Sequence, residues 1–584
     1  MTAYVLNELT ALPFWLACLR GRKPVYLMVD PVLPALQSQL ERLGNRMVAV
    51  GKARKLSDIR PEADFMVHYP TGHIQFNLFA ETEDWHNGRF FPDRVANLGD
   101  DELAFRKLTN DFMRFPYIQV SHLDFLERGE GEACEAKGIR AAARAIRAAR
   151  DGNSWSATTY DPWNRGVSAV AVNLFSALAM TVMAMLWIAR RTQFNEPAPK
   201  FFGSAVDFIA DKSDEPVYEH LLRKGSVLVI PRVGNAEEKL VASVLAGQKL
   251  IRWGDARHSL VMAVCGFTTI LRRIWGRFGQ APAMEPTLFY KLASLPLKRF
   301  RMRSLFNQYR PGVFWGRDPY NVEHLLRRPE MERIGGLSVG INIGYPSDAA
   351  VYSMFRWMDY HRYYVFGSGI YERYYNRFYP DHMTVLQVGA FRPTREQFAR
   401  RDLPKPKDLV IFVGLFVVRP EMVAFVRELA TTLTDRNILV QVKPCFLSEP
   451  IMHLSRWGES FFAACTDGLA NVQRVEDGVY DLMDRASYAV SDPGSLVVEA
   501  MQFNLEAFCF DIPAAQRSNP FRDQPEINIF SAAELVSYIR DRESGARSYP
   551  WDITQDMVER SGRYYADMIA EDLETQMPVW GKQQ

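Results

Sequence analysis

The stretch from Val472 to Asp511 concentrates the residues whose types and spacing could do chemistry. Tyr488 to Ser491 reads as a short strand, Asp492-Pro493-Gly494 as a tight turn, and the residues after Ser495 as a helix. A first helix over Val479 to Arg485 precedes them. Pro493 fixes φ at a turn position and Gly494 allows close backbone approach to a ligand. Ser495 is placed to cap the helix, whose unpaired N–H groups would point back over Ser491 and Asp492 and suit a phosphate. Glu499, four residues on, falls on the same face, where a carboxylate can accept from ribose hydroxyls. A phosphate end and a sugar end on one face describe a nucleotide. The same pattern also serves as plain packing in doubly wound sheets, with Glu499 solvated, so the surrounding elements must decide.

Those elements alternate. Leu409 to Phe412 reads as a strand ending at Gly414, Glu421 to Leu433 as a helix, and Ile438 to Val442 as a strand ending in Lys443-Pro444. Gly414, Lys443 and Ser491 to Ser495 all fall at carboxyl ends of strands, where open α/β sheets bind ligands. Earlier strands are expected at Val25 to Val29, Arg46 to Val50, Phe65 to His68, Ser226 to Ile230, Lys249 to Arg252 and Val313 to Trp315. Further ones are expected at Leu337 to Ile343, Tyr363 to Phe366 and Val385 to Val388. The expected division is an N-terminal α/β region over 1–214, a Rossmann-like lobe over 215–391 and a Pro- and Arg-rich linker over 392–407. A nucleotide-binding lobe over 408–545 and a helical tail over 546–584 complete it.

A chain of 584 residues with 48% apolar and 24% charged residues has material for two or three cored lobes and is not a disordered composition. Its net charge of +2 names no partner. The six cysteines are widely spaced, with no CxxC or Cys/His cluster, which speaks against zinc and fits reduced thiols of the cytoplasm. The N-terminus has no basic region ahead of its apolar part and reads poorly as a signal peptide.

Two stretches point to a membrane. Gly166 to Ala189 is a 24-residue uncharged run diluted by Ser168, Asn173, Ser176 and Thr181. It is expected to be a buried or membrane-dipping helix rather than a span, because its arginine-rich N-terminal flank would place the nucleotide candidate outside the cell. From Arg272 to Arg310 nine residues are Lys or Arg and Glu285 is the only acid, with aromatics interleaved. Arg272, Arg273, Trp275, Arg277, Lys298, Arg299, Arg301 and Arg303 are the expected contacts with anionic lipid. No helix-turn-helix, RNP or zinc pattern accompanies them, so no nucleic-acid partner is expected. The Arg/Ala-rich segment Lys137 to Arg150 is expected to be a helix with a solvated face.

The sequence DLMDRASYAVSDPGSLVVEAMQFNLEAFCFD resembles the donor-lobe signature of GT-B glycosyltransferases. QVKP (Gln441 to Pro444) is similar to the strand end of CDP-glycerol and Kdo-type transferases of surface-polysaccharide assembly. GINIGYPSD, YYVFGSG and VLQVGAFRP look like the passage from acceptor lobe to linker in the same groups, so the resemblance covers roughly 310–515. It implies two Rossmann-like lobes facing a cleft, with transfer from a nucleotide-sugar to a lipid-linked or glycan acceptor. It also implies peripheral association with the inner face of the membrane, and neither a metal nor a separate cofactor. Lys443 and the N–H groups at Gly494 and Ser495 would steady the leaving diphosphate and Glu499 the ribose, with Asp348 as first and His361 as second candidate base. Cys445 and Ile343 stand where such relatives carry histidines. A polyol-phosphate transferase, a nucleotide-sugar epimerase or a non-catalytic scaffold of the same fold are the alternatives.

Overall fold

A computed structural model describes most of residues 2–56 and nearly all of 166–576, with short pieces between. Outside the described residues lie 57–102, 145–165, 209–225, 444–454, 577–584 and shorter runs, among them 347–352. The expected strand at Phe65 to His68, the candidate base Asp348 and most of Lys137 to Arg150 therefore lie outside them. The chain forms two units, one of residues 1–198 and 256–304, the other of 199–255 and 305–584.

The first unit opens on a four-stranded parallel sheet in the spatial order Arg54–Lys55, Val25–Val29, Thr2–Leu6, Glu135–Lys137. Its central strand, Thr2–Leu6, is buried from Ala3 onward, so the apolar start of the chain is sheet core. Arg46 to Val50, expected as a strand, instead completes the helix Pro34–Ala49. Its apolar residues Leu36, Leu40, Leu43 and Met47 repeat at three to four and pack on that sheet.

The same unit holds three long helices. Val167–Arg191 packs Ala169, Asn173, Ala177, Ala184 and Ile188 inward. The Asn173 amide donates to the carbonyls of Pro282 and Met284, anchoring it to the turn between the other two, Leu260–Gln280 and Pro286–Gln308. Thus the basic-aromatic segment, expected within the lobe 215–391, folds mostly with the N-terminal unit. It is a helical hairpin in which Ile270, Ile274, Leu288, Phe289 and Leu292 are buried.

The second unit holds two fully parallel sheets. In chain order the seven strands of the first are Lys200–Phe208, Val227–Pro231, Lys249–Leu250, Tyr309–Gly316, Leu337–Ile341, Arg362–Val365 and Thr384–Gln387. They stand in the spatial order third, second, first, fourth, fifth, sixth, seventh. The helical hairpin is the insertion between the third and fourth. Lys200–Phe208, placed centrally, was not anticipated: its outer half is exposed and its Gly and Ser weaken the strand pattern. Its presence moves the boundary expected at 214 back to about 198.

The second sheet runs Leu409–Val413, Ile438–Val442, Val472–Arg474, Tyr488–Ser491, Glu506–Phe510 and Asn528–Ile529, in the order third, second, first, fourth, fifth, sixth. That is the doubly wound order, reversing direction between the first and fourth strands. Both sheets expected from the alternation are present, giving an α/β chain with two Rossmann-like sheets. The connector 392–407 carries a short helix, Arg395–Ala399, closed by a capping box between Thr394 and Gln397.

Loops at the carboxyl ends of the two sheets meet where Tyr345 stacks on Phe521, ring centroids 5.4 Å apart. The C-terminal segment returns to the first sheet: Tyr364 donates to Asp572 at 2.7 Å, and Gly369 N–H donates to the Asp556 carbonyl at 2.8 Å. A Cβ on Gly369 would lie 2.0 Å from the Asp556 carboxylate, so the Gly-Ser-Gly loop is shaped by the returning chain.

Arg327, fully buried, lies 3.4 Å from Asp207 and 4.1 Å over the Phe314 ring. Removing the cation takes a charged partner from a buried carboxylate. Arg327→Met should therefore lower stability by about 3–5 kcal/mol, read as a fall in the thermal unfolding midpoint; an unchanged midpoint would show that Asp207 is satisfied without it.

Candidate functional site

The site is built where the second sheet reverses. Leu409–Val413 pairs with Ile438–Val442 on one side and Tyr488–Ser491 on the other, with Val413 opposite Val442 and Phe412 opposite Ser491. Carrying that register one step past the strands puts Lys443, Gly414 and Pro493 in one row. The Lys443 N–H donates to the Val413 carbonyl at 2.9 Å, extending the ladder to that row. Neighbouring strands are about 4.8 Å apart, so the row spans about 10 Å from Lys443 to Pro493. Two of the sequence candidates, Lys443 and Gly414, are thus brought together with Pro493 of the turn at the switch point.

Asp492 has a different part from the one expected. Its buried carboxylate accepts from the backbone N–H of Gly414 at 3.3 Å and of Phe416 at 3.0 Å. It fills with a resident charge the backbone donors that would otherwise face an incoming anion. It also explains Gly414, since a Cβ there would lie 3.1 Å from Asp492 Oδ1. Ser491, likewise buried, donates its hydroxyl to the Asp492 carbonyl at 2.9 Å. Ser491 and Asp492 are the frame of the turn.

Gly494 and Ser495 are half-exposed. Among the described residues the only atom within 4 Å of a Cβ on Gly494 is the Asp492 carbonyl oxygen, at 3.6 Å, so none of their side chains plugs the turn. Ser495 is already in the αR region and makes no side-chain capping bond. The helix after it, Leu496–Gln502, has only seven residues, too short for the helix-end field expected of it. Lys443 is exposed at the other end of the row.

Glu499 is 1% exposed, turned inward rather than solvated. Its Oε2 accepts from the Tyr480 hydroxyl at 2.5 Å, and Tyr480 in turn stacks on Phe503. Burial beside this carboxylate drives the Tyr480 pKa well above its ordinary value, so the phenol stays a donor. Glu499 Oε1, also buried, accepts no hydrogen bond among the described residues.

On the first sheet, Asn342 was missed by sequence reasoning. It ends the strand Leu337–Ile341, is buried, accepts from Gly344 N–H at 3.2 Å and donates to the Tyr371 hydroxyl. An amide at the end of an apolar run, two residues before a glycine, was the available signal. His361 sits at the opposite edge: its N–H donates to the Ser338 carbonyl and its Nδ1 accepts from Ser338 N–H, both at 2.9 Å. It precedes the strand Arg362–Val365, at the amino end, away from the loops that meet at Tyr345 and Phe521. Burial, with Arg328 nearby, lowers its pKa to about 4, leaving a neutral ring with the proton on Nε2.

The expected membrane residues occupy the hairpin. Arg272 is exposed; Arg273, Trp275, Arg277, Lys298, Arg299 and Arg303 are half-exposed. Arg301 instead lies over the Trp187 ring at 5.2 Å, where burial lowers its pKa. Val167–Arg191 is long and apolar enough to cross a bilayer, yet it is one-sided: Leu174, Phe175, Leu178, Val182, Met185 and Leu186 form an exposed stripe opposite its packed face.

No protein-family model and no curated protein sequence matches the chain. Among solved structures, MurG from Acinetobacter baumannii is similar at 13% identity and TM-score 0.35, over 65% of this chain and 100% of that one. CalG4, the calicheamicin glycosyltransferase, is similar at 14% identity and TM-score 0.35, over 65% and 100%. The wall teichoic acid polymerase TagF is similar at 10% identity and TM-score 0.35, over 70% and 98%. At that distance no residue role passes from any of them to this chain.

Two outcomes test these assignments. Asp492→Ala, which frees two backbone N–H groups, should cost about 1.5–3 kcal/mol of stability, measured by chemical denaturation; a neutral result would remove Asp492 from the frame. The unfolded chain protonates His361 near pH 6.5 and the folded chain only near 4. Its stabilising effect is therefore complete above about pH 6.5 and is lost as pH falls through that window. His361→Gln keeps an acceptor for Ser338, and its midpoint should decline less between pH 6.5 and 4 than that of the wild-type chain; parallel curves would contradict this.

Proposed function

We propose that the chain is a glycosyltransferase that moves a sugar from a nucleotide-sugar, bound on the second sheet, to an acceptor presented at a membrane surface. The observation that carries this reading is the doubly wound strand order with Lys443, Gly414 and Pro493 in one row at its reversal. Ligands of open α/β sheets bind there because the connections on either side diverge and leave a crevice. In the proposed mechanism Lys443 supplies the charge that steadies the leaving diphosphate, and the N–H groups of Gly494 and Ser495 its hydrogen bonds. Glu499 Oε1 takes a ribose hydroxyl. Asp348, which follows the strand Leu337–Ile341 in sequence, deprotonates the acceptor hydroxyl.

The membrane part of the proposal draws on the one-sided stripe of Val167–Arg191 and on Leu260, Val261 and Val264, all exposed on the neighbouring helix. Half-burying six large apolar side chains in lipid contributes about 5 kcal/mol, enough for reversible binding of a helix lying in the interface. A helix packed along one side and bare along the other suits that pose better than a span. The chain would act at the cytoplasmic face, where nucleotide-sugars are supplied.

A panel of UDP-, GDP-, CDP- and CMP-linked donors should yield one class that raises the thermal midpoint, by the equivalent of about 2.7 kcal/mol at a hundred times its dissociation constant. Lys443→Ala should abolish that shift while leaving the free protein's midpoint unchanged. Silence from every donor would favour a non-catalytic scaffold, and a CDP-polyol responding alone would favour polyol-phosphate transfer.

A further inference from the structure

We infer that the second unit carries a further ligand site, remote from the switch point, for a small polyhydroxylated anion: a sugar phosphate or a sugar acid. It lies where the returning C-terminal segment is bonded to the edge of the first sheet. A cavity of about 320 Å³ is lined there by Gln387, Trp551, Gln555, Glu559, Arg560 and Ser561. Gln387 closes the edge strand Thr384–Gln387. Its amide is fixed on both sides, Oε1 accepting from Ser368 N–H at 2.9 Å and Nε2 donating to the Gln555 carbonyl at 2.8 Å. The Glu559 N–H donates to the Phe366 carbonyl at 3.2 Å. Two strand ends thus hold the segment that supplies the other five residues. Asn504, which accepts from Arg560, precedes the strand Glu506–Phe510. The cavity is therefore tied to the amino ends of the second sheet, opposite the row of Lys443, Gly414 and Pro493.

Arg560 selects for charge. Its guanidinium lies 3.7 Å over the Trp551 ring and donates to two neutral acceptors, Thr554 Oγ1 at 3.3 Å and Asn504 Oδ1 at 3.2 Å. Among the described residues no carboxylate pairs with it. Burial lowers its pKa, and Arg401 beside it adds a second cation. An oxyanion would supply the countercharge to a fork already held flat against an aromatic face. A bare phosphate would leave the rest of the lining idle. Glu559 Oε1 accepts from the Ser561 N–H at 2.5 Å, and its other oxygen accepts from no described residue. That carboxylate repels an anion unless the same ligand brings hydroxyl donors to it. The Gln555 amide, the Trp551 indole N–H and the Ser561 hydroxyl donate to no described residue either. One cation, one acceptor and several neutral donors describe a ligand with one charged end and a set of hydroxyls. The volume, at the low end for ligand pockets, suits a single sugar ring with its anionic group.

Calorimetric titration of the full chain at constant ionic strength, with glucose 6-phosphate and with glucuronate, tests the site against glucose and inorganic phosphate. One of the first two should bind saturably and about tenfold more tightly than either glucose or phosphate, and which of them does so distinguishes a sugar phosphate from a sugar acid. Arg560→Gln should weaken that binding about tenfold or more. Gln555→Trp, which fills the cavity from an exposed position without changing charge, should do the same while keeping the wild-type thermal midpoint. Lys443→Ala should leave the binding unchanged, which separates this site from the nucleotide site proposed above. Loss in Lys443→Ala with retention in both cavity variants would put the ligand at the switch point and overturn the site. Phosphate or glucose alone binding as tightly as the combined ligands would overturn the ligand class. Silence from both probes would end the proposal and leave the sugar-transfer reading untouched.

Discussion

The buried carboxylate of Asp492 is the constraint on which the rest of the candidate site depends. By accepting from the N–H groups of Gly414 and Phe416 it ties the turn after Tyr488–Ser491 to the turn after Leu409–Val413. These are the two strands between which the sheet reverses. Charge-assisted bonds of this kind are stronger than neutral ones, and they hold the two turns together. Lys443 and the bare surface at Gly494 are then placed on either side of a rigid frame. The frame also dictates sequence: Gly414 is glycine because the carboxylate lies against its α-carbon.

A second theme is that glycines and acids resembling ligand-binding features are used to join chain to chain. The Gly367-Ser368-Gly369 loop receives the segment around Asp556 and Met557. Gly389 receives Gln502, whose Oε1 also accepts from Ala390 N–H at 2.8 Å and so links the end of the first sheet's last strand to the second sheet's helix. Glu499 answers Tyr480. Because both sheets belong to one unit, the contacts that set their relation draw on the same residue types as a phosphate loop.

The helical hairpin shows one piece of chain serving the fold and a surface at once. It is the connection between the third and fourth strands of the first sheet, yet it folds with the N-terminal helices. Small residues on Val167–Arg191 allow the close packing, and the large ones are left outside. Nothing in a soluble fold requires six large apolar residues along one bare stripe. The stripe is the surface on which the proposed membrane seat would rest.

Much of this was legible in the amino-acid order. Short apolar runs ending in Gly, Lys-Pro or Asp-Pro-Gly located three strands of the second sheet, Leu409–Val413, Ile438–Val442 and Tyr488–Ser491, to within a residue, and their alternation with helices implied a parallel sheet. Local propensity and turn chemistry suffice for that, because each strand is buried on both faces and carries its own signal. Strand order was not legible, since pairing is set by contacts distant in sequence, and with it went the central place of Lys200–Phe208 and the outside position of the hairpin. Nor was the direction in which polar side chains turn. Asp492, Glu499 and His361 look alike as candidate ligands in one dimension, and only the folded chain decides that one is taken by backbone donors, one by a phenol, and one sits at the far edge of its sheet. The reason is physical: a buried polar atom must find a partner, and the tertiary structure determines which partner is within reach.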